Sequence, residues 1–155
     1  DPKLKKFNDS VNEVLLSLAK RVVIDGEGAS KFIKINCINS RTEEEAKKIS
    51  FSIANSSLVK TAIAGEDPNW GRIVMAIGKS DAKINVKKLS VLIGPFKILV
   101  NGNLSQHYEE KKVMEYMKND SLVITINIGT GNKKFTAYTM DLTKKYIEIN
   151  ADYRT

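Results

Sequence analysis

The stretch KFIKINCIN, residues 31–39, alternates apolar and polar side chains along its length. Phe32 or Ile33, then Ile35 and Cys37, fall on one side of an extended chain, and their polar neighbours fall on the other. This period of two predicts a half-buried β-strand. The same pattern places Cys37 on the buried side, so we expect a structural thiol there rather than a reactive one.

Helical patterns lie on both sides of this strand. Residues 3–20 carry apolar side chains at spacings of three and four, which predicts an amphipathic helix, whereas RVVID (21–25) predicts a short strand. Beyond the central strand, Thr42 followed by Glu45 is a capping-box pattern that predicts the start of a helix. The stretch SSLVKTAIAG (56–65) is apolar, and its secondary structure stays open.

Strand patterns dominate the second half of the chain. Strands are predicted in KINVKKLSVLIG (83–94), PFKILV (95–100), SLVITINIG (121–129), KFTAYTM (134–140) and KKYIEIN (144–150), with a helix at residues 106–118. The dipeptide NG at 101–102 predicts a hairpin, and GTGNKK (129–134) is interpreted as a hairpin turn rather than a phosphate loop. The fold class is therefore α+β, with mixed sheets and packed helices. A change of composition near Gly78–Asp81 predicts two parts, residues 1–78 and 79–155.

Composition excludes several classes of protein. The chain has 155 residues, one cysteine and one histidine, so an internal disulfide and a histidine-based zinc site are excluded. No apolar run approaches the roughly 20 residues of a membrane span. The net charge of +7 comes mainly from scattered lysines, which favour a solvated surface over a polyanion-binding stripe. Nucleic-acid binding is kept as an alternative.

Three places carry candidate chemistry. Glu27 stands between two glycines after the predicted strand, where a carboxylate could reach a cleft, although a solvated turn is the simpler interpretation. Asn150 and the tail up to Thr155 would form a second place if the terminus docks rather than frays. The third is GEDPNWGR (65–72), in which Asp67 and Pro68 suit a helix start. Gly71 beside the bulky Trp70 suggests close approach of another backbone. A helix start wedged by the tryptophan is the simpler interpretation, and a direct ligand role for Asn69 or Arg72 is the alternative.

Three motifs resemble the C-terminal portion of the ornithine acetyltransferase family. They are DGEGASKF (25–32), ANSSLVKTAIAGEDPNWGRIVMAIG (54–78) and INADYRT (149–155), and their order and spacing fit. The likeness runs from about residue 22 to the last residue. The family often has Thr and Pro where this chain has Ser30 and Ser57. The resemblance implies a self-processing ornithine acetyltransferase-like fold with a smaller, α/β-roll-like C-terminal subdomain.

The resemblance also implies a function and a site. The family moves an acetyl group from N-acetylornithine to glutamate through an acetyl-threonine, and some members also use acetyl-CoA. Glu27, Asn150 and Thr155 match the family's substrate-binding residues. The nucleophilic threonine belongs to an Ala-Thr-Met-Leu motif absent from these 155 residues, so no catalytic residue is expected in this chain.

Further expectations follow from that resemblance. The chain is expected to be a β-chain fragment, inactive alone, that pairs with the α chain of its precursor in an α2β2 assembly in the cytoplasm. Neither a metal nor a cofactor is expected, apart from acetyl-CoA as a co-substrate. A related aminopeptidase-like hydrolase is a further alternative.

Overall fold

The structure, a computed structural model, describes residues 2–153. The helices are α1 (Pro2–Ile24), α2 (Glu43–Ala54), α3 (Ser57–Ala64), α4 (Trp70–Gly78), α5 (Glu110–Met117) and α6 (Lys144–Asp152), with a 3-10 turn at Val86–Lys88. The strands are β1 (Phe32–Ser40), β2 (Ser90–Ile93), β3 (Phe96–Val100), β4 (Asn103–Leu104), β5 (Ser121–Asn127) and β6 (Lys133–Met140).

One mixed sheet organises the chain. Its six strands lie in the order β4-β3-β2-β5-β1-β6. β1 runs parallel to β5 and antiparallel to β6, so the KFIKINCIN stretch occupies the interior of the sheet. This confirms the α+β class with a mixed sheet. The predicted division at residues 78 and 79 stays a prediction, although strands from both sides of it share this sheet.

One face of the sheet is buried and the other is half-exposed. Ile33, Ile35 and Cys37 of β1 are at most 1% exposed, and they lie beside the buried residues of β5. α2 packs on this face through Ile49 and Ile53, which are fully buried. The predicted capping box is confirmed at its first position, because the Thr42 hydroxyl accepts a hydrogen bond from the Glu45 N–H at 3.1 Å.

The segment at residues 21–25 is helical, so the prediction of a strand there is wrong. α1 continues through Ile24, and the Asp25 N–H still donates to the Arg21 carbonyl at 2.9 Å. Val22 keeps the three- and four-residue spacing of the apolar stripe. The helical period therefore outweighs the strand preference of the β-branched residues.

Residues 144–150 also form a helix, α6, where a strand was predicted. The Leu142 N–H donates to the Lys60 carbonyl of α3 at 3.3 Å, which takes the chain off the edge of the sheet. Without a neighbouring strand to pair with, the following residues satisfy their backbone groups within a helix. The period-two pattern was too short to distinguish the two structures.

The GTGNKK segment is not a hairpin turn. β5 and β6 are not neighbours, because β1 lies between them, so this segment crosses the end of β1. The N–H groups of Thr130 and Gly131 both donate to the Asn39 carbonyl, at 2.8 and 2.9 Å. A Cβ on Gly131 would lie 2.3 Å from the Ser40 carbonyl oxygen, so the crossing requires glycine there.

The hairpin at residues 101–102 is confirmed. Val100 pairs with Asn103, and Asn101 and Gly102 both have positive φ, of 50° and 77°. These angles match the turn that two-residue hairpins favour. Two other segments are refined: the helix predicted at residues 106–118 covers Glu110–Met117, and residues 57–64, left open from the sequence, form α3.

Candidate functional site

Glu27 lies at the tip of the tight turn between α1 and β1. The Ala29 N–H donates to the Gly26 carbonyl at 3.0 Å, which closes the turn and leaves the Glu27 side chain exposed. Gly28 has a φ of +67°, and a Cβ there would lie 2.7 Å from the backbone nitrogen of Tyr146. The turn therefore lies against the first turn of α6, and only glycine permits that distance.

Asn150, on α6, meets Glu27 directly. Its Nδ2 donates to Glu27 Oε2 at 2.7 Å and to the Tyr146 carbonyl, one helical turn earlier, at 2.9 Å. The fold thus makes neighbours of these two residues, which are 123 positions apart in the sequence. Thr155, the third predicted site residue, lies outside the described residues. Whether any of the three binds a ligand stays a prediction.

The pair is supported by contacts between the turn and the segment before α6. The Thr143 hydroxyl donates to the Gly28 carbonyl at 2.6 Å. The carboxylate of Asp141, which is 1% exposed, accepts hydrogen bonds from the N–H groups of Ser30 and Lys31 at 2.8 and 2.9 Å, and from the Ser30 hydroxyl. The sequence did not reveal Thr143 or Asp141, because it predicted a strand where α6 follows them.

Lys31, which the sequence offered only as a possible base, has a buried side chain beside the turn. Its side chain is 7% exposed, and its Nζ lies 3.2 Å from Glu66 Oε1 and 3.4 Å from the Asn119 carbonyl. A buried ammonium group needs such partners to offset its desolvation. The pair joins the DGEGASKF motif to the GEDPNWGR segment. A surface cavity of about 440 Å³ borders Lys31, and Ser30 and Asp120 also line it, but Glu27 does not.

The GEDPNWGR segment is structural in its described contacts. Asn69, rather than the predicted Asp67, caps α4 by accepting a hydrogen bond from the Arg72 N–H at 3.2 Å. The Arg72 guanidinium donates to the Leu58 carbonyl at 2.9 Å. The gap beside Asn69 measures about 10 Å³, too small for an amino acid.

One prediction about this segment is wrong. Within residues 2–153 no backbone from another element approaches Gly71, because a Cβ there would meet only the Asn69 Oδ1 at 3.5 Å. Trp70 instead packs its ring against the core of the protein. The aromatic residue beside glycine therefore marks a helix start wedged on the core, not a contact between two backbones.

The remaining candidate groups are placed as follows. Cys37 is fully buried, and burial together with the charge of Glu45 raises the pKa of its thiol to about 12. His107 lies exposed in the loop before α5. Among residues 2–153, no group of three or more His, Cys, Asp or Glu side chains is arranged to hold a metal ion. No helix in that range is both long and apolar enough to cross a membrane.

The comparisons with known proteins cover the whole chain. Residues 1–155 match the family described as the ArgJ family. The Bartonella henselae protein named "Arginine biosynthesis bifunctional protein ArgJ" is 44% identical over 155 residues, which is 100% of this chain and 38% of that protein. The protein of the same name from Ruegeria pomeroyi is 49% identical over 150 residues, covering 97% of this chain and 37% of that one.

A solved structure has the same fold. The crystal structure titled "Arginine biosynthesis bifunctional protein argJ" from Bacillus halodurans superposes with a TM-score of 0.94 at 35% identity. The match covers 99% of this chain and 72% of that chain. The present chain thus spans less than two fifths of the length of the curated relatives described above, which are 38% and 37% covered.

Proposed function

The chain belongs to the ArgJ family, and we propose on this basis that it is the substrate-binding part of the β chain of an ornithine/glutamate N-acetyltransferase. The membership confirms the resemblance to the ornithine acetyltransferase family. In the proposed reaction the intact enzyme moves an acetyl group from N-acetylornithine to glutamate in arginine biosynthesis. Acetyl-CoA is proposed as a further donor.

The proposed chemistry consists of two acyl transfers. A threonine hydroxyl from outside these 155 residues, activated by its own terminal amine, attacks the acetyl carbonyl and releases ornithine. The amino group of glutamate then attacks the resulting ester and regenerates the hydroxyl. An oxyanion hole on the α chain stabilises each tetrahedral intermediate. Because the nucleophile and the oxyanion hole are assigned elsewhere, we propose that this chain alone transfers no acetyl group.

The contact between Glu27 and Asn150 is the observation that supports this proposal most directly. Its length of 2.7 Å fixes one carboxylate oxygen, Oε2, toward α6. Within the described residues the other oxygen, Oε1, accepts no hydrogen bond. A carboxylate held in this way suits an ammonium group, since charge-assisted hydrogen bonds are the stronger ones. N-acetylornithine and ornithine both carry such a group.

Substitution of Glu27 tests the proposal. In the intact enzyme, Glu27→Gln removes the charge but keeps the size, and we expect kcat/KM for N-acetylornithine to fall by about tenfold or more, the loss of one charged hydrogen bond. The matched control is Glu148→Gln, the same change on an exposed residue of α6. Equal kinetics for the two variants would remove Glu27 from the substrate site.

The proposed partner is the α chain of the same precursor, in an α2β2 assembly. Two observations support a partner. The chain covers 38% of the length of its Bartonella relative, and all the described residues of α1 remain unburied. A nucleic-acid-binding role has no comparable support, since the lysines lie scattered along the chain.

A further inference from the structure

We propose that Thr143 and Asp141 are positioning residues that set the placement of Glu27 against Asn150. This inference rests on the function proposed above. Neither side chain contacts Glu27 or Asn150 in the described structure. They instead join Gly28, at the end of the α1–β1 turn, and Ser30 and Lys31, just after it, to the segment from which α6 begins.

Thr143 holds the residue next to Glu27. It stands at the N-cap position of α6, yet its side chain makes no capping hydrogen bond. Its hydroxyl instead donates to the Gly28 carbonyl at 2.6 Å, 115 positions away. A threonine at a helix start normally caps the helix. Here the hydroxyl connects the helix to the turn.

Asp141 holds Ser30 and Lys31, the two residues that follow the turn. Its carboxylate is 1% exposed, which is costly for a charged group unless donors surround it. Two backbone N–H groups, from Ser30 and Lys31, and the Ser30 hydroxyl supply those donors. The Asp141 N–H in turn donates to the Lys31 carbonyl at 3.2 Å. The segment before α6 is thus fixed at several points to the turn and to the residues that precede β1.

The close packing of the α1–β1 turn against α6 leaves little room for either to move. A Cβ on Gly28 would lie 2.7 Å from the Tyr146 nitrogen, so the turn and the first turn of α6 are already in close contact. Asn150 lies seven residues after Thr143, roughly 10 Å along the helix. A small tilt of α6 at its start therefore moves the Asn150 amide away from the Glu27 carboxylate. Misplacement of a binding group by about 1 Å is enough to impair an enzyme strongly.

The test is Thr143→Val in the intact enzyme, because valine keeps the shape and removes the hydroxyl. We expect KM for N-acetylornithine to rise about fivefold to tenfold, and Thr143→Ser to restore it. The matched control is Thr139→Val. Thr139 is also half-buried and donates to a backbone carbonyl, that of Ala54, at 3.1 Å, but on the α2 side of β6. Thr139→Val should lower Tm without changing KM.

A combination with Glu27→Gln distinguishes positioning from a general loss of stability. If Thr143 acts through Glu27, Thr143→Val should raise KM no further in the Glu27→Gln background. An unchanged KM in Thr143→Val, or an equal rise in both backgrounds, would overturn the inference. Unchanged kinetics in Glu27→Gln itself would instead overturn the proposed site. If Thr143→Val gives no folded enzyme, Asp141→Asn replaces it, with the same expected rise.

Discussion

Three polar residues of the GEDPNWGR segment, Arg72, Asn69 and Glu66, make contacts that hold the fold together. Arg72 joins α4 to α3 through the Leu58 carbonyl, Asn69 caps α4, and Glu66 pairs with Lys31. Each polar group thus has a partner within the described part of the chain. The residues that face outward as a pair, Glu27 and Asn150, come instead from a turn and a helix near opposite ends of the chain.

Cys37 gives a prediction at the residue scale. Its thiol pKa is raised to about 12 by burial, and then by the charge of Glu45. At pH 8 only ~1 thiol in 10,000 would be ionised, and the thiolate is the reactive form. We expect iodoacetamide to leave Cys37 unmodified in the native chain and to modify it fully in denaturant. Rapid alkylation of the native chain would contradict this.

α1 exposes a long row of apolar side chains that nothing in the described structure covers. It has 23 residues and none of them is buried, although Phe7, Leu15 and Leu18 are large and apolar. Long amphipathic helices normally derive their stability from an apolar face packed on a core. We therefore infer that this face is covered in the assembly proposed above.

Leu18→Glu tests that inference. In the intact enzyme a buried glutamate at this position should lower stability by about 2–4 kcal/mol, because the charge loses its water without gaining a partner. The effect is measured as a fall in Tm together with a loss of the assembled species in size-exclusion chromatography. Ser17→Glu is the control, since it adds the same charge about 100° around the helix. If the two variants have similar Tm values, the face of α1 that carries Leu18 is exposed to solvent in the intact enzyme.

At the scale of the whole molecule, sequence patterns correctly predicted the structures that depend on residues close together in the chain. The alternation in β1, the Thr42 cap and the Asn101–Gly102 hairpin each depend on neighbours in sequence. The crossing of residues 129–132 over β1 depends on the distant Asn39 carbonyl, so a local turn signal could not distinguish it from a hairpin.

The candidate site was only partly predictable for the same reason. The motif resemblance pointed to Glu27 and Asn150. In the fold, the Asn150 Nδ2 lies 2.7 Å from the Glu27 Oε2. The supporting Asp141 carboxylate bonds to residues 110 and 111 positions away. Such contacts leave no periodic signal in the sequence. A strand assignment for residues 144–150 also hid the helix that carries Asn150.

The central claim is that these two side chains, from opposite ends of the chain, form one binding site for an amino acid. A double-mutant cycle on the intact enzyme tests it, with ornithine affinity measured calorimetrically for wild type, Glu27→Gln, Asn150→Ala and the double variant. We predict that each single change weakens binding and that the double variant is little weaker than the poorer single one, a coupling of about 1 kcal/mol or more. Losses that simply add, or affinities that do not change, would contradict a shared site.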